Sequence, residues 1–329
     1  MTPEDFSLLN NYQRGFPLVP EPFRLIADEL GLREERVLAA LSRLTLSGAI
    51  SRIGAVFRPG TIGASTLAAM AVPRSRLSAV ADLVSVHAGV NHNYEREHAL
   101  NLWFVAAAPD AARLARLLDM IRRECEIEVL ALPLLEEYFI DLGFDLAGRG
   151  KPPESHRCQV SAPLDLDAAD RRLVAALQEG LSIARRPYRE LGSKCRLEEQ
   201  QVLKRIAAWQ EGGAIRRFGV VVRHRELGYR ANAMVVWDVP ENQASAMGER
   251  LAREQDVNLC YRRARCGSQW PYNLYCMIHG RERDAVRDRI DVIAESIGLG
   301  RFPREILFSR RRFKQTGARH AEAAESVHE

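Results

Sequence analysis

The sequence has no run of eighteen apolar residues, and so no segment suited to crossing a bilayer as a helix. Its first fifteen residues, MTPEDFSLLNNYQRG, carry acids early and lack an apolar core, so no secretory signal is expected there. Six cysteines, at 125, 158, 195, 260, 266 and 276, are too sparse for a disulfide scaffold, and none forms a CxxC pair. Cys260, Cys266 and Cys276 match no iron–sulfur spacing and lack a fourth ligand. A Gly-rich phosphate loop, a Ser-His-Asp set and a zinc motif are also missing. These absences point to a cytoplasmic protein in a reducing setting, without membrane partner or metal site. Lysine is absent from residues 1–150, where 15 Arg face 19 acids for a net charge of −4. Against totals of 47 basic and 43 acidic residues, 32 and 24 remain for the rest, a net +8. A basic half suits an anionic partner, either nucleic acid or a polycarboxylate ligand.

What is present is an internal repeat. Gly48-Ala49-Ile50-Ser51-Arg52-Ile53-Gly54-Ala55-Val56 returns as Gly213-Ala214-Ile215-Arg216-Arg217-Phe218-Gly219-Val220-Val221. Val90-Asn91-His92-Asn93-Tyr94-Glu95-Arg96 returns as Val257-Asn258-Leu259-Cys260-Tyr261-Arg262-Arg263, and Asn101-Leu102-Trp103-Phe104 as Asn273-Leu274-Tyr275-Cys276. The offset grows from 165 to 167 and then 172, which places a five-residue insertion within 264–272 of the second copy.

Each copy reads as a helix-turn-helix followed by a β wing. In copy two a helix opens at Asp167, a short one lies around 188–192, and a longer one runs from Leu197 to about Gln210, with the wing strand at 215–222. In copy one the helices are 22–30 and 33–47. A strand-helix-strand-strand-helix-strand order follows each wing, the split βαβ, ferredoxin-like arrangement. Its strands are expected near 66–73, 90–96, 100–107 and 127–133, and again near 231–239, 257–263, 272–279 and 303–310. The fold class is therefore α+β, in two tandem repeats with antiparallel sheets. The expected boundaries are 1–62 and 63–147 for copy one, a Pro-rich linker at 148–163, 164–228 and 229–314 for copy two, and a disordered tail at 315–329. Two such sheets are expected to pack against each other as a pseudo-twofold molecule.

A helix-turn-helix joined to a ferredoxin-like domain resembles the leucine-responsive, feast/famine (Lrp/AsnC) regulators, most clearly over 164–222. The recognition helices, however, begin Arg33-Glu34-Glu35-Arg36 and Leu197-Glu198-Glu199-Gln200. Paired carboxylates there face phosphate oxygens and oppose DNA binding, although they also complement the helix dipole. An Lrp/AsnC-type regulator or heme-binding sensor stands as the alternative reading, and no specific DNA partner is expected.

The second ferredoxin-like strand points to chemistry instead. By alternation His92, Tyr94 and Arg96 share one face, a set suited to a flat, carboxylated aromatic ligand. Copy two offers Tyr261 and Arg263 at the matching places, with Arg262 and Arg265 beside them. Arg310-Arg311-Arg312, at the end of the last strand, reads as a solvated sheet edge.

These strands, with their Asn-Leu-Trp-Phe and Tyr-Asn-Leu-Tyr partners, resemble the siroheme decarboxylases over essentially the whole chain. The resemblance implies a fusion of two homologous subunits of the heme d1 pathway of denitrifying bacteria. The implied enzyme is a carboxy-lyase that removes CO2 from the C12 and C18 acetates of siroheme to give 12,18-didecarboxysiroheme. No added cofactor is expected: the macrocycle is the electron sink, and iron arrives within the substrate. The expected catalytic residues are His92 and Tyr94, with His92 as proton donor or iron ligand. Arg96, His98, Trp103, Tyr261, Arg262, Arg263, Arg265 and Tyr275 are the expected substrate-binding residues, Trp103 and Tyr275 having core packing as their alternative. The partner is the tetrapyrrole, and a homodimer of the fused chain is one expected assembly. The family often carries His in both strands, whereas Leu259 stands here where the first copy has His92.

Overall fold

The computed structural model describes residues 2–140, 158–159, 163–222 and 231–317. The chain opens with a helix that the sequence reading does not include, α1 (Pro3–Asn11). Thr2 and Asp5 form a reciprocal capping box there and Pro3 begins the first turn. Then follow α2 (Pro22–Leu30), α3 (Glu34–Leu46) and the wing strand β1 (Ile50–Phe57). The ferredoxin-like half comprises β2 (Ala64–Met70), α4 (Leu77–Val86), β3 (Val90–Arg96), β4 (Leu102–Ala108), α5 (Ala111–Cys125) and β5 (Leu130–Ile140). Within the expected linker, Cys158–Gln159 form β6, paired antiparallel with β5. The remaining linker residues up to 157 and at 160–162, and the expected boundaries at 147/148 and 228/229, lie outside the described residues.

Copy two repeats the order with α6 (Ala168–Glu179), α7 (Pro187–Cys195), α8 (Glu199–Glu211), β7 (Ile215–Val222), β8 (Ala231–Trp237), α9 (Glu241–Arg253), β9 (Val257–Arg263), β10 (Leu274–Gly280), α10 (Arg283–Ile297) and β11 (Arg304–Gln315). Asp167 caps α6 with Asp170 in a second capping box.

The two helical units are not independent. Each wing strand pairs with the other copy's, β1 antiparallel to β7, and one apolar core takes Phe23, Ile26 and Leu41 from the first copy with Leu173, Leu191 and Ile206 from the second. Burying both apolar faces in one core removes more surface from water than two small cores would.

The ferredoxin-like halves share hydrogen-bonded strands as well as packing against each other. Within each half the strand order is β5-β2-β4-β3 or β11-β8-β10-β9. The halves meet edge to edge, β3 with β11 and β9 with β5, so eight antiparallel strands close into a barrel. The cause is strand length. β5 and β11 run to Ile140 and Gln315, past their expected ends at 133 and 310, and the additional residues pair with the opposite copy. One expectation falls with this: Gln315 is strand rather than tail. Arg311 and Arg312 pair with β3 on one side only, since the pairing of β11 with β8 ends at Phe308, and Arg310 and Arg311 stay exposed, as a solvated edge would be. Thr316 continues the contact, its amide donating to Asn91 O at 2.8 Å, and 318–329 lie outside the described residues. Apolar clusters under α4/α5 and under α9/α10 cover the outside of the barrel, while a third cluster, drawn from both copies, fills its inside.

Candidate active site

Strand alternation fixes which side chains enter the barrel. On β10, Leu274, Cys276 and Ile278 join the helix-side core and Tyr275 and Met277 the interior one, so His279 continues the inward set. By the same reasoning Leu259, Tyr261 and Arg263 face inward on β9, and Asn232, Met234 and Val236 on β8. On β3, Asn93 faces out and its amide donates to Ala81 O and Ser85 Oγ of α4, which turns His92, Tyr94 and Arg96 inward. Seven of the expected site residues thus share the barrel's inner face: His92, Tyr94, Arg96, Trp103, Tyr261, Arg263 and Tyr275.

Their arrangement follows the pseudo-twofold of the barrel. His92 stacks on Tyr94 with ring centroids 6.4 Å apart. The Arg96 guanidinium carbon lies 5.9 Å from the Tyr94 ring centroid, and that of Arg263 lies 4.6 Å from Tyr261. Arg96 Nη1 donates to Leu307 O at 2.8 Å, and Arg263 Nη1 to Leu132 O at 2.7 Å. Leu307 and Leu132 hold equivalent places opposite Met234 and Leu67. Arg96 is 7% exposed, and burial pushes its pKa down to about 10 against the pull of Tyr261 and Tyr94. Its other contact is with Asn232 Oδ1 at 3.5 Å. Among the described residues no carboxylate pairs with Arg96 or Arg263. A cation enclosed with only neutral partners is poorly solvated, and it binds an entering anion correspondingly well.

One end of the barrel is plugged. The insertion in copy two folds back through paired backbone hydrogen bonds between Cys266 and Trp270 and sets Trp270 into the interior. Trp270 meets Trp103 at 5.0 Å, Tyr272 at 4.9 Å and His98 at 5.4 Å, and its Nε1 donates to the Tyr275 hydroxyl at 2.6 Å. Trp103 Nε1 donates to Leu100 O at 2.6 Å, and burial raises the Tyr275 pKa. Burial lowers that of His98, whose Nδ1 accepts from Leu100 N at 2.9 Å. His98, Trp103 and Tyr275 therefore build a packed floor, the core alternative for the latter two. Trp270→Ala is expected to lower unfolding free energy by about 3–5 kcal/mol, the usual result of emptying a buried indole site, as measured by denaturant titration.

Two expected residues do not join the site. Arg262 points away from the interior, bonded at 2.5 Å to both Glu136 and Glu241. Arg265 is held by Glu241, by Asp238 and Val239 O at 2.6 Å, and by Pro271 O at 2.7 Å. With their fork positions occupied by acids and carbonyls, both are structural clamps.

At the other end stand groups that the sequence reading misses. Glu137 of β5, 3% exposed, pairs with Arg216 of β7 and, at 3.7 Å, with Arg58 just after β1. Burial, with Arg58 and Arg14 nearby, pushes the Arg216 pKa down to about 10. Across the β3–β11 seam Arg312 lies opposite Tyr94 and Gln315 opposite His92. The His92 end of the barrel thus approaches the wing sheet and its arginines. Asn232 and His279 also escaped notice, although a polar residue at an inward position of an otherwise apolar strand was a usable signal. Arg58 and Arg216 gave none, because wing strands are expected to face solvent. No group of three or more His, Cys, Asp or Glu among the described residues is placed to hold a metal.

Comparison with known proteins adds to this geometry. The AsnC-like ligand binding domain family matches residues 61–138 and 226–314, and the siroheme decarboxylase NirDL-like HTH domain family matches 5–50 and 170–216. The siroheme decarboxylase NirDL subunit of Paracoccus denitrificans (strain Pd 1222) is 44% identical over 326 residues, 97% of this chain and 98% of that one. A crystal structure of the siroheme decarboxylase NirDL superposes with TM-score 0.70 at 28% identity, covering 96% of this chain and 94% of that one. A second, in complex with an iron-uroporphyrin III analogue, has TM-score 0.67 at 28% identity, with 96% and 93% covered.

Proposed function

The chain belongs to the siroheme decarboxylase family, in the form that carries both halves on one polypeptide, and from that membership we propose that it is a carboxy-lyase acting on siroheme. It removes CO2 from the C12 and C18 acetates and yields 12,18-didecarboxysiroheme, a heme d1 precursor. The observation that carries this reading is the pair of inward arginines, Arg96 and Arg263, each set over a tyrosine ring and neither paired to an acid among the described residues. They suit a flat polyanion: guanidinium for carboxylate, phenol ring for macrocycle. A tetrapyrrole bound to a family member at TM-score 0.67 supports the substrate class.

In each half-reaction the bond between the acetate methylene and its carboxylate carbon breaks and CO2 leaves. The electron pair stays on the methylene carbon, delocalised into the macrocycle, and a proton closes the methyl group. The substrate supplies the electron sink, so no separate cofactor is required. Arg96, Arg263 and the arginines at the mouth hold carboxylates that do not react. His92 delivers the proton, with Tyr94 stacked beside it to orient the ring or to donate instead. The reading puts the enzyme in the cytoplasm, with the tetrapyrrole as its partner. Anaerobic incubation of the purified protein with siroheme, followed by mass analysis, is expected to show loss of two CO2 per molecule without additions. An unchanged siroheme mass with folded protein would sink the proposal.

The helix-turn-helix units serve this architecture rather than DNA. Arg185, from the loop before α7, pairs with Glu35 at 2.7 Å and Glu34 at 3.6 Å, so the start of α3 is tied to the other copy. Arg186 holds Glu199 at the start of α8. Specific DNA sites are normally bound about 10³–10⁷-fold tighter than random sequence, and no such preference is expected in a selected-site binding screen. Recovery of one strong operator would restore the regulator reading.

A further inference from the structure

Both seams of the barrel join equivalent strands, and their charges follow one rule. Glu95 of β3 and Arg262 of β9 match in the repeat, and the residues opposite them are Arg311 of β11 and Glu136 of β5. Arg311 and Glu136 therefore hold equivalent places too. In each seam copy one supplies the acid and copy two the base. Arg311 Nε lies 3.3 Å from Glu95, and Arg262 Nη2 lies 2.5 Å from Glu136. The next residues keep the rule: Glu137 of copy one stands opposite Tyr261, where Arg312 of copy two stands opposite Tyr94. Arg310 adds a contact with Glu97 at 3.0 Å. Even the flanking helices act in opposite senses. The hydroxyl of Ser245 on α9 donates to Glu136 at 2.8 Å, whereas that of Ser78 on α4 accepts from Arg311 at 3.3 Å. The imbalance between the halves, −4 against +8, is thus partly written into the contact between them.

We infer that this charge pattern is a pairing code, by which each half accepts the other kind of half and refuses its own. If copy one met copy one, Glu95 would face Glu136 in both seams, with Glu137 beside them. If copy two met copy two, Arg262 would face Arg311, between Arg310 and Arg312. Like charges directly opposite on one face of an antiparallel pair are destabilising, and the twofold repeats the fault at the second seam. The attraction within each half-exposed ion pair contributes little to stability. Its larger effect is on the choice of partner, because the wrong pairing brings like charges together. The need for a code arises from the repeat itself, since two units of one fold present strand edges of the same shape. The partner that fits either edge is the opposite half, from the same chain or from a second copy of it. This holds whatever the barrel binds, so it stands apart from the siroheme reading.

Two charge-reversed full-length chains test it. One carries Glu95→Arg with Glu136→Arg, so that both of its copies present basic edges. The other carries Arg262→Glu with Arg311→Glu, so that both present acidic edges. Each alone is expected to lose about 5–10 °C in thermal midpoint, since like charges then meet in both seams of every pairing open to it. Co-expressed with different affinity tags, the two chains are expected to copurify in equal amounts and to recover most of the lost midpoint. Each half of one chain then closes a barrel with the opposite half of the other. Wild-type chains carrying the same two tags satisfy the code within one chain and are expected to copurify far less. All four substitutions in a single chain restore opposite signs at both seams and are expected to recover the midpoint without exchange. Unchanged midpoints in both reversed chains would overturn the inference. So would reversed chains that fold yet copurify no better than the wild-type pair. Where neither reversed chain is obtained folded alone, failure of both the co-expression and the fourfold variant to yield folded protein overturns it as well.

Discussion

His92→Ala is expected to lower siroheme turnover by about 10²–10⁴-fold, with siroheme affinity little changed, because proton delivery acts on the transition state rather than on binding. Asn91, 3% exposed, fixes the ring through Nδ1, and Tyr94 stacks on its face, so the imidazole is held in one orientation before substrate arrives. Such placement converts proton transfer into a step within the complex. Single-turnover rates and a tetrapyrrole titration on the same variant separate the two effects. Normal binding with a wild-type rate would remove His92 from the acid role and make Tyr94 the next candidate. If the corresponding Tyr94 variant is also unaffected, the productive face lies away from β3.

Arg96→Met is expected to move function and stability in opposite directions. Burial holds the folded-state pKa down at about 10, well below the ordinary guanidinium range, equivalent to a penalty on the order of 3 kcal/mol for keeping the charge inside. The sign follows from the direction of the shift. The folded state disfavours the protonated form, so the penalty is fully present below about pH 10 and fades as pH rises beyond it. A methionine keeps much of the stem and removes the charge, so the thermal midpoint is expected to rise at neutral pH. Siroheme binding is expected to weaken by about 10–100-fold, since a charged hydrogen bond to a carboxylate contributes roughly 1.5–3 kcal/mol. Calorimetry and a binding titration on one preparation test both halves. An unchanged affinity would mean that the substrate carboxylates do not reach Arg96.

Much of this was legible before any coordinates. The repeat, the order of elements in each copy and the period-two face of His92, Tyr94 and Arg96 follow from local patterns, which depend on neighbours in sequence and on backbone geometry. α1 escaped because its capping box lies in a stretch with few apolar residues. The overlong β5 and β11 escaped because Glu136-Glu137 and Arg310-Arg311-Arg312 look like strand exits. Those charged residues continue as strand only because a partner edge is waiting, and that edge belongs to the other copy.

The division between the two sources of information is therefore physical. Sequence by itself determined two α+β units and an aromatic and basic inward strand in each. Only the tertiary structure decided that the sheets close into a barrel, since closure depends on pairing between residues more than a hundred positions apart, such as His92 with Gln315 and Leu134 with Arg263. It also sorted the arginines: Arg262 and Arg265 are occupied by acids brought from β5, α9 and the residues between β8 and α9, while Arg96 and Arg263 are enclosed among neutral groups. Which cation is matched and which is left for a ligand depends on what the fold carries to its side, and no single strand records that.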